Sequence, residues 1–397
     1  MPHDARESGA GGLKADYGVR RNRLRLPLPK GAFDVPVTTP TLPRTKSAVQ
    51  MRDVAGMAGV SITTVSHIVN ETRAVAPHTR ERVLRAMREL KFHRNAYGRR
   101  LARGHSDSYG LIISDVENPF FPELIKSFED FVTERGCDVL LCATNYDPER
   151  ARKAVARMIE NKVLGVAVVT AQIGVDLIEE LTDADIPVLR VDAAEPPGRC
   201  LSNVRVDYST GARQAVAHLK ALGHRDIAYI AGPRTRVSAV TCRQAFTDAL
   251  RDLRLPRPRT VEVNNDMDGG AAAARTLLDG SELPTAIICC NDLAALGAMR
   301  ALLEAGVRVP RDVSILGVDD ISFSRYATPA LTTVRVPRDR LGRLAFEGLE
   351  RMVRSKRRSG SQYSLETILV VRQSTGAVRS KADSPKAGSR RRRGVAP

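Results

Sequence analysis

The stretch AGVSITTVSHIVNETR, residues 58–73, decides how the N-terminal part of the chain folds. Val65, Ile68 and Val69 recur at helical spacing, and this pattern predicts an amphipathic helix over residues 62–70. The opposite face of that helix presents Thr63, Thr64, Ser66, His67 and Asn70. This face is polar yet uncharged, which is unusual for a surface that meets only solvent, and it suits hydrogen bonding to another molecule.

Two further helices flank this segment. The run MRDVAGMAG predicts a helix from Met51, and APHTRERVLRAMRELKF predicts another from Ala76. In the turn between the first two helices, Gly59 suits a left-handed backbone conformation and Ser61 suits a helix cap. This is the pattern of a helix-turn-helix, whose second helix enters the DNA major groove. A helix lying on an ordinary protein surface is the alternative that the pattern alone leaves open.

From Tyr109 onward, short apolar runs alternate with helical segments. The runs are YGLIIS, CDVLLCA, VLGVAVVT, IPVLRVD, DIAYIAG, TAIICC, DVSILGVDD, LTTVRV and TILVVR. Such runs predict parallel sheets that helices cover on both faces, and Gly223 is placed to end one of those helices. About 265 residues of this kind exceed one comfortable core. We therefore expect an α/β fold with two stacked parallel-sheet subdomains and a ligand cleft between them.

Charge and composition narrow the class of protein. A formal net charge of +17 favours a polyanionic partner, although Arg390 to Arg393 and other tail residues supply part of it. The six cysteines lack zinc-type spacing, and we expect reduced structural thiols without metal or cofactor. No apolar run is long enough for a membrane span, and no secretory signal is evident at the N-terminus. We expect a cytoplasmic protein that does not contact membranes.

The segment RDVAGMAGVSITTVSHIVNETRAV, residues 52–75, resembles the DNA-binding headpiece of the lactose-repressor (LacI/GalR) family of bacterial transcription regulators. TTVSHIVNETR is most similar to the purine-repressor branch. ENPFFPEL, HLKALGHRDIAYIAG, GVRVPRDVSILGVDD and TPALTTVRVP are similar to the family's effector-binding core, which resembles periplasmic binding proteins. The resemblance runs from about Val49 to Gly376. It implies that the major groove is read by Thr63, Thr64, Ser66 and His67, with Asn70 and Arg73 nearer the phosphates.

The resemblance also implies a domain order. We expect a disordered extension (1–47), a helix-turn-helix headpiece (48–94), a hinge helix or linker (95–106), an effector-binding and dimerisation core (107–376), and a disordered basic tail (377–397). In the family, the hinge helix inserts a leucine into the minor groove, and Leu101 occupies that position. The phosphates would then be within reach of Arg99, Arg100 and Arg103. A plain basic linker is the alternative.

The family's effector pocket lies where strands end at the cleft, which is also where open α/β sheets bind ligands. The corresponding residues are Ser114, Asp115, Asn118, Phe120, Phe121, Asp192, Arg236, Ser238, Arg243, Asn291 and Asp319. Their carboxylates and amides suit sugar hydroxyls, and Phe121 suits stacking on a pyranose or a flat base. Helix capping or turn closure is the alternative role for Asp115, Asn118, Asn291 and Asp319.

One departure from the family falls in this region. Cys242 stands where the family usually has an effector-binding arginine, Arg243 follows it, and Ala245 replaces a glycine. Three explanations stay open: Arg243 substitutes after a small rotation of its helix, the ligand differs, or effector control has been lost.

These observations predict a homodimeric repressor that binds a near-palindromic double-stranded DNA operator. A small molecule in the cleft would control it, a sugar being the first expectation and a purine the second. The tail lacks an apolar heptad, which favours a dimer over a tetramer. A solute-binding protein of a transport system is the main alternative. An enzyme is not expected, because the sequence has no glycine-rich phosphate loop, metal cluster or GxSxG motif.

Overall fold

The structure is a computed structural model that describes residues 49–70, 72–92, 106–170, 173–192, 196–280, 282–355 and 358–378, with only the backbone of Asn70. The chain divides into two compact units, Met1–Arg94 and Asn95–Pro397. Several predictions lie outside the described residues. They concern the extension, nearly all of the hinge segment with Arg99, Arg100, Leu101 and Arg103, and most of the tail.

The described residues of the first unit form three helices, α1 (Met51–Ala58), α2 (Ile62–Asn70) and α3 (Pro77–Glu89). The predicted apolar face of α2 is buried, and so is its counterpart on α1 and α3. The shared core consists of Val54, Ala55, Ala58, Val65, Ile68, Val69, Val83, Ala86 and Phe92. The helical periodicity of the sequence is therefore confirmed, since each stripe faces the other two helices.

The second unit is α/β, as the sequence predicts. The helices in its described residues are α4 (Phe120–Glu134), α5 (Pro148–Glu160), α6 (Val175–Asp183), α7 (Ser209–Ala221), α8 (Val237–Asp252), α9 (Met267–Leu278), α10 (Asp292–Glu304) and α11 (Arg338–Arg354). Its strands are β1 (Ser108–Ile113), β2 (Asp138–Ala143), β3 (Val166–Val169), β4 (Val188–Val191), β5 (Leu201–Asp207), β6 (Ile227–Ala231), β7 (Arg259–Glu262), β8 (Ala286–Cys289), β9 (Ser314–Asp319), β10 (Thr332–Arg335), β11 (Gln362–Glu366) and β12 (Ile368–Val370). A short 3-10 helix, Ser322–Arg325, follows β9.

The strands form two six-stranded sheets, which define two subdomains. The first has the order β11-β5-β4-β3-β1-β2 and is parallel throughout. The second has the order β12-β10-β9-β8-β6-β7, and β12 alone runs antiparallel to its neighbour. The central strands β1, β3, β6 and β8 are wholly buried, as sheets covered on both faces require. The predicted fold class is confirmed.

Three strands lack the continuous apolar pattern and were not predicted. In β5, Ser202, Asn203 and Arg205 interrupt the apolar residues. Strands β7 and β11 lie at or near sheet edges, where side chains stay exposed and hydrophobic periodicity is weak. Within the run TILVVR, only the three residues of β12 form a strand.

The chain connects the subdomains repeatedly. It passes to the second sheet after β5, returns between β10 and β11, and passes again between β11 and β12. Two of these crossovers are tied together, because the backbone N–H of Thr367 and its hydroxyl both donate to the carbonyl of Asp207, at 3.1 and 2.9 Å. The carboxyl ends of strands from both sheets consequently line one cleft.

Candidate functional site

The start of α2 is fixed by its own sequence. Gly59 has φ 61° and ψ 42°, the left-handed conformation expected of the turn. The hydroxyl of Ser61 accepts a hydrogen bond from the backbone N–H of Thr64 at 3.0 Å, which confirms the predicted cap. Arg82 on α3 donates to the carbonyls of Ala58 and Gly59. This last contact joins the turn to the third helix, and no local sequence pattern indicated it.

The polar face of α2 has the composition that the sequence predicts. The side chain of Thr63 is exposed, whereas Thr64, Ser66 and His67 are half-buried. Nδ1 of His67 lies 2.8 Å from the hydroxyl of Thr72, so the ring is held in one orientation. Arg73, just beyond the helix, is exposed. Short hydrogen-bonding side chains on a capped helix are the groups that reach base edges in a major groove.

A second candidate site is a cavity of about 130 Å³ in the cleft between the two sheets. It lies where β1, β3, β4, β8 and β9 end, as the topology of open α/β sheets predicts. Most of the predicted effector residues line it. They are Ser114, Asn118, Phe120, Phe121, Asp192, Arg236, Ser238, Asn291 and Asp319.

The structure does not bring Asp115 or Arg243 to this cavity. The carboxylate of Asp115 accepts a hydrogen bond from the backbone N–H of Glu117 at 2.8 Å and so closes a turn. Arg243 lines a separate concavity with Arg234 and Arg257. The register of α8 is the reason: it turns Cys242 into the cavity and Arg243 outward. The side chain of Cys242 therefore occupies the place expected for an arginine, and Arg243 does not substitute for it.

Other cavity residues were missed from the sequence. They are Tyr146, Val169, Thr170, Val191, Val206, Tyr208, Ala239, Asn265, Cys290, Val318 and Leu341, with Cys242 recognised only as a departure. A positional signal existed for two of them, because Thr170 and Cys290 are the last residues of predicted apolar runs. Tyr146 follows its strand by three residues and takes a left-handed φ of 58°, which no pattern indicated.

Two carboxyl groups face the cavity from opposite subdomains. Asp192 follows β4, and its carboxylate accepts one hydrogen bond, from the backbone N–H of Val206 at 2.8 Å. Burial raises the pKa of Asp192 to about 6. Burial also raises the pKa of Asp319, at the end of β9, well above its usual value, and the neighbouring charge of Asp292 adds to this. Both residues have positive φ values, 53° and 111°, so the backbone at both strand ends is strained.

The cavity also contains one guanidinium group. The Cζ atom of Arg236 lies 3.9 Å from the centroid of the Tyr146 ring, close enough for a cation–π contact. Within the described part of the chain, the buried Nε of Arg236 has no hydrogen-bond partner. A buried donor without a partner is costly, so an acceptor on a ligand would be stabilising there.

Aromatic and amide groups complete the walls. Phe120 and Phe121 pack edge to face with ring centroids 5.4 Å apart. Asn291 is 5% exposed, and its side chain both accepts from the N–H of Ala294 at 2.9 Å and donates to the carbonyl of Asn265 at 2.9 Å. Asn291 thus caps α10 and lines the cavity, so the two roles expected of it are compatible.

Burial disfavours the thiolate forms of the two cysteines that line the cavity. Burial raises the pKa of Cys290 to about 12 and that of Cys242 further still. All six cysteines are unpaired.

Among the residues that the structure describes, no cluster of three or more His, Cys, Asp or Glu side chains could hold a metal ion. Nor does any helix in those segments have the length and apolar character to cross a bilayer.

Comparison with known families gives two matches. Residues 50–95 match the profile of bacterial regulatory proteins of the lacI family. Residues 216–375 match that of the periplasmic binding protein-like domain. The first match contains the helix-turn-helix, and the second contains most of the second subdomain.

The chain is also similar to characterised proteins over most of its length. It is 36% identical over 335 residues to the HTH-type transcriptional repressor PurR of Haemophilus influenzae strain PittEE, covering 83% of this chain and 99% of that protein. The lac repressor dimer bound to operator and the anti-inducer ONPF superposes with a TM-score of 0.75 at 30% identity, over 83% of this chain and 100% of that one. The complex of the transcriptional regulator CelR with cellobiose gives a TM-score of 0.62 at 29% identity, over 82% and 99%.

Proposed function

The chain belongs to the lacI family of bacterial regulatory proteins, and we propose that it works as a homodimeric repressor on a near-palindromic operator. It is a DNA-binding regulator of transcription that a small molecule controls. We propose a headpiece over residues 48–94, a hinge over 95–106 and a core over 107–376. The protein would work on chromosomal DNA in the cytoplasm, without catalytic activity.

The uncharged polar face of α2 is the observation that carries the DNA-binding role. The Ser61 cap and the left-handed Gly59 set where the helix begins, and the buried apolar stripe sets which face points outward. We propose that Thr63, Thr64, Ser66 and His67 contact base edges and that Asn70 and Arg73 contact phosphates. The relative whose structure was solved on its operator is a dimer, and two copies of this headpiece would read two half-sites.

The cavity is the proposed effector site. Its walls come from both subdomains, so a bound molecule would contact both and favour one angle between them. Relatives are seen with ONPF and with cellobiose, which favours a sugar-like molecule here. Binding of the effector and of DNA would then be reciprocally coupled.

The test begins with a duplex selected from random sequence by the full-length protein. Fluorescence anisotropy then measures the affinity for that duplex and for a scrambled one. We expect Thr63→Ala to weaken binding to the selected duplex by about tenfold, because a base-edge contact is lost. Binding to the scrambled duplex should not change. Thr276→Ala, which alters an exposed threonine on α9, is the matched control.

Arg73→Ala provides a second comparison. Because a phosphate contact carries no sequence information, this variant should weaken binding to both duplexes and reduce the slope of log affinity against log salt by about one. The proposal fails if the full-length protein does not distinguish the selected duplex from the scrambled one.

A further inference from the structure

The charged groups of the effector cavity do not balance. The carboxyls of Asp192 and Asp319 both line it, whereas Arg236 is the only arginine or lysine among the lining residues that the structure describes. The two carboxyls act on the same place, because the charge of each raises the pKa of Tyr208 and of Cys242. Both carboxyls therefore lie near the Cys242 thiol, which burial keeps neutral.

Arg236 does not serve as the counter-ion of either carboxyl. Its guanidinium lies over the ring of Tyr146, 3.9 Å from the centroid. Its charge lowers the pKa values of Tyr146 and Cys290, while neither Asp192 nor Asp319 has Arg236 among the groups that shift its own pKa. The charge of Asp319 also acts on Tyr146 and Cys290, so Arg236 lies in the same part of the cavity as that carboxyl. Its guanidinium nevertheless contacts the ring of Tyr146 and, in the described part of the chain, bonds neither carboxylate.

Other arginines near the carboxyls are exposed or already engaged. The charge of Arg205 acts on Asp192, but its side chain points away from the cavity and is exposed. The charge of Arg338 acts on Asp319, yet its Nε and Nη2 donate to the carboxylate of Glu123 at 3.0 and 2.6 Å. Within the described segments, no side chain donates a hydrogen bond to the carboxylate of either Asp192 or Asp319.

We infer that the effector of this cavity carries a protonated amine which lies between Asp192 and Asp319, together with hydroxyl oxygens that reach Arg236, as an amino sugar does. The inference rests on the proposed function of the cavity. An ammonium group has three donors and can bond both carboxylates at once. Its charge offsets the desolvation that disfavours ionised carboxyls, and charge-assisted hydrogen bonds of this type are strong. An oxygen near Arg236 would supply the acceptor that its Nε lacks.

The experiment uses matched sugars that differ at one carbon, which carries a protonated amine, a hydroxyl or a neutral acetamide. Isothermal titration of the full-length protein at pH 7.5 measures binding of D-glucosamine, D-galactosamine and D-mannosamine. Each is compared with its neutral parent hexose and with its N-acetyl derivative. We expect at least one amine to bind about tenfold or more tightly than both neutral counterparts. Equal or tighter binding of a neutral sugar would overturn the inference, as would failure of all three amines to bind.

Substitutions locate the effect. Asp192→Asn and Asp319→Asn should each remove most of the preference for the amine, because each replaces one ionisable partner with a neutral side chain of similar shape. Asp115→Asn is the matched control, since Asp115 follows β1 but does not line the cavity. If the preference survives both cavity substitutions, the amine does not lie between these carboxyls.

A test without any ligand gives an independent result. Cys242→Lys places an ammonium group beside both carboxyls, and Cys242→Met adds a neutral side chain that is also unbranched. At pH 8 we expect the lysine variant to unfold at a higher temperature than the methionine variant. That difference should disappear in the Asp192→Asn, Asp319→Asn background. Equal or lower stability of the lysine variant would contradict a deficit of positive charge in the cavity.

Measuring operator affinity distinguishes a failure of this inference from a failure of the proposed function. Anisotropy with the selected duplex is repeated with each bound sugar present. A neutral sugar that binds and changes operator affinity would support the proposed function and refute the amine. Binding of any sugar with no change in operator affinity would instead refute effector control.

Discussion

Asp292 and Asp192 are both carboxyls close to the carboxyl ends of strands, but their surroundings differ. Asp292, at the start of α10, is fully buried and accepts hydrogen bonds from the hydroxyls of Ser324 at 2.6 Å and Thr333 at 2.5 Å and from the N–H of Ile321 at 2.9 Å. Asp192 accepts one hydrogen bond from the described residues and faces the cavity. Burial raises both pKa values, to about 7 and about 6.

The comparison shows that a raised pKa does not by itself mark a binding site. The hydrogen bonds of Asp292 are supplied by the protein, so this carboxyl joins α10 to the segment after β9 and to β10. The second oxygen of Asp192 is left for another molecule. The number of acceptor positions that the protein leaves unused distinguishes the structural carboxyl from the candidate ligand-binding one.

Asp292→Ala should produce the largest effect. It would leave the donors of Ser324, Thr333 and Ile321 unpaired in a fully buried place, which we expect to cost about 3–5 kcal/mol in the free energy of unfolding. Urea unfolding followed by circular dichroism measures this. Asp292→Asn keeps one oxygen acceptor and should lose clearly less. A loss below about 1 kcal/mol for the alanine variant would refute the structural role.

Gly317→Ala tests how closely the backbone of β9 packs against the side chain of Asp292. A Cβ atom at Gly317 would clash with Oδ1 of Asp292, which cannot move without disturbing its hydrogen bond from Thr333. We expect destabilisation by about 2–3 kcal/mol in the same urea experiment. Gly198→Ala is the control, because no atom lies within 4 Å of its added Cβ. Equal stability of the two variants would show that the residues around Asp292 can move apart to accept the extra methyl group.

Asp192→Asn should change stability with the opposite sign. Because the folded-state pKa, about 6, lies above the ordinary value of 3.8, folding favours the protonated carboxyl. Its contribution is fully present below pH 3.8 and is lost as the pH rises through 6. Removing the ionisable group should therefore stabilise the protein by about 2 kcal/mol at pH 8 and by little at pH 4. A pH-independent difference between the variant and the parent would contradict the assignment.

Asp115→Asn should have the smallest effect. Asp115 follows a strand as Asp192 does, but it closes an exposed turn and lies outside the cavity. We expect a change below about 0.5 kcal/mol at any pH, since an asparagine oxygen still accepts from the N–H of Glu117. Effector binding, measured by calorimetry, should stay at the level of the parent protein. A clear change in either would place Asp115 with the cavity carboxyls.

Some features of the site depend on local order along the chain, and the sequence predicted these well. Gly59, Ser61 and the stripe of Val65, Ile68 and Val69 determine a capped amphipathic helix whatever the rest of the chain does. The positions where apolar runs end likewise predicted the edge of the sheets at which the cavity lies, because parallel strands end at one edge of a sheet. The family resemblance supplied the nine predicted residues that line it.

Tertiary structure decided which way side chains face and which residues far apart in sequence form hydrogen bonds. The register of α8 determined that Cys242 and not Arg243 faces the cavity, and no spacing rule distinguishes two adjacent helical residues without knowing where the core lies. The three partners of Asp292 lie 29 to 41 residues away, at positions brought together only by the order of the strands. The sequence by itself thus predicted the helix-turn-helix, most of the strands and the edge of the sheets at which the cavity lies. Only the folded chain decided which charges meet, because burial and hydrogen bonding act between residues far apart in sequence.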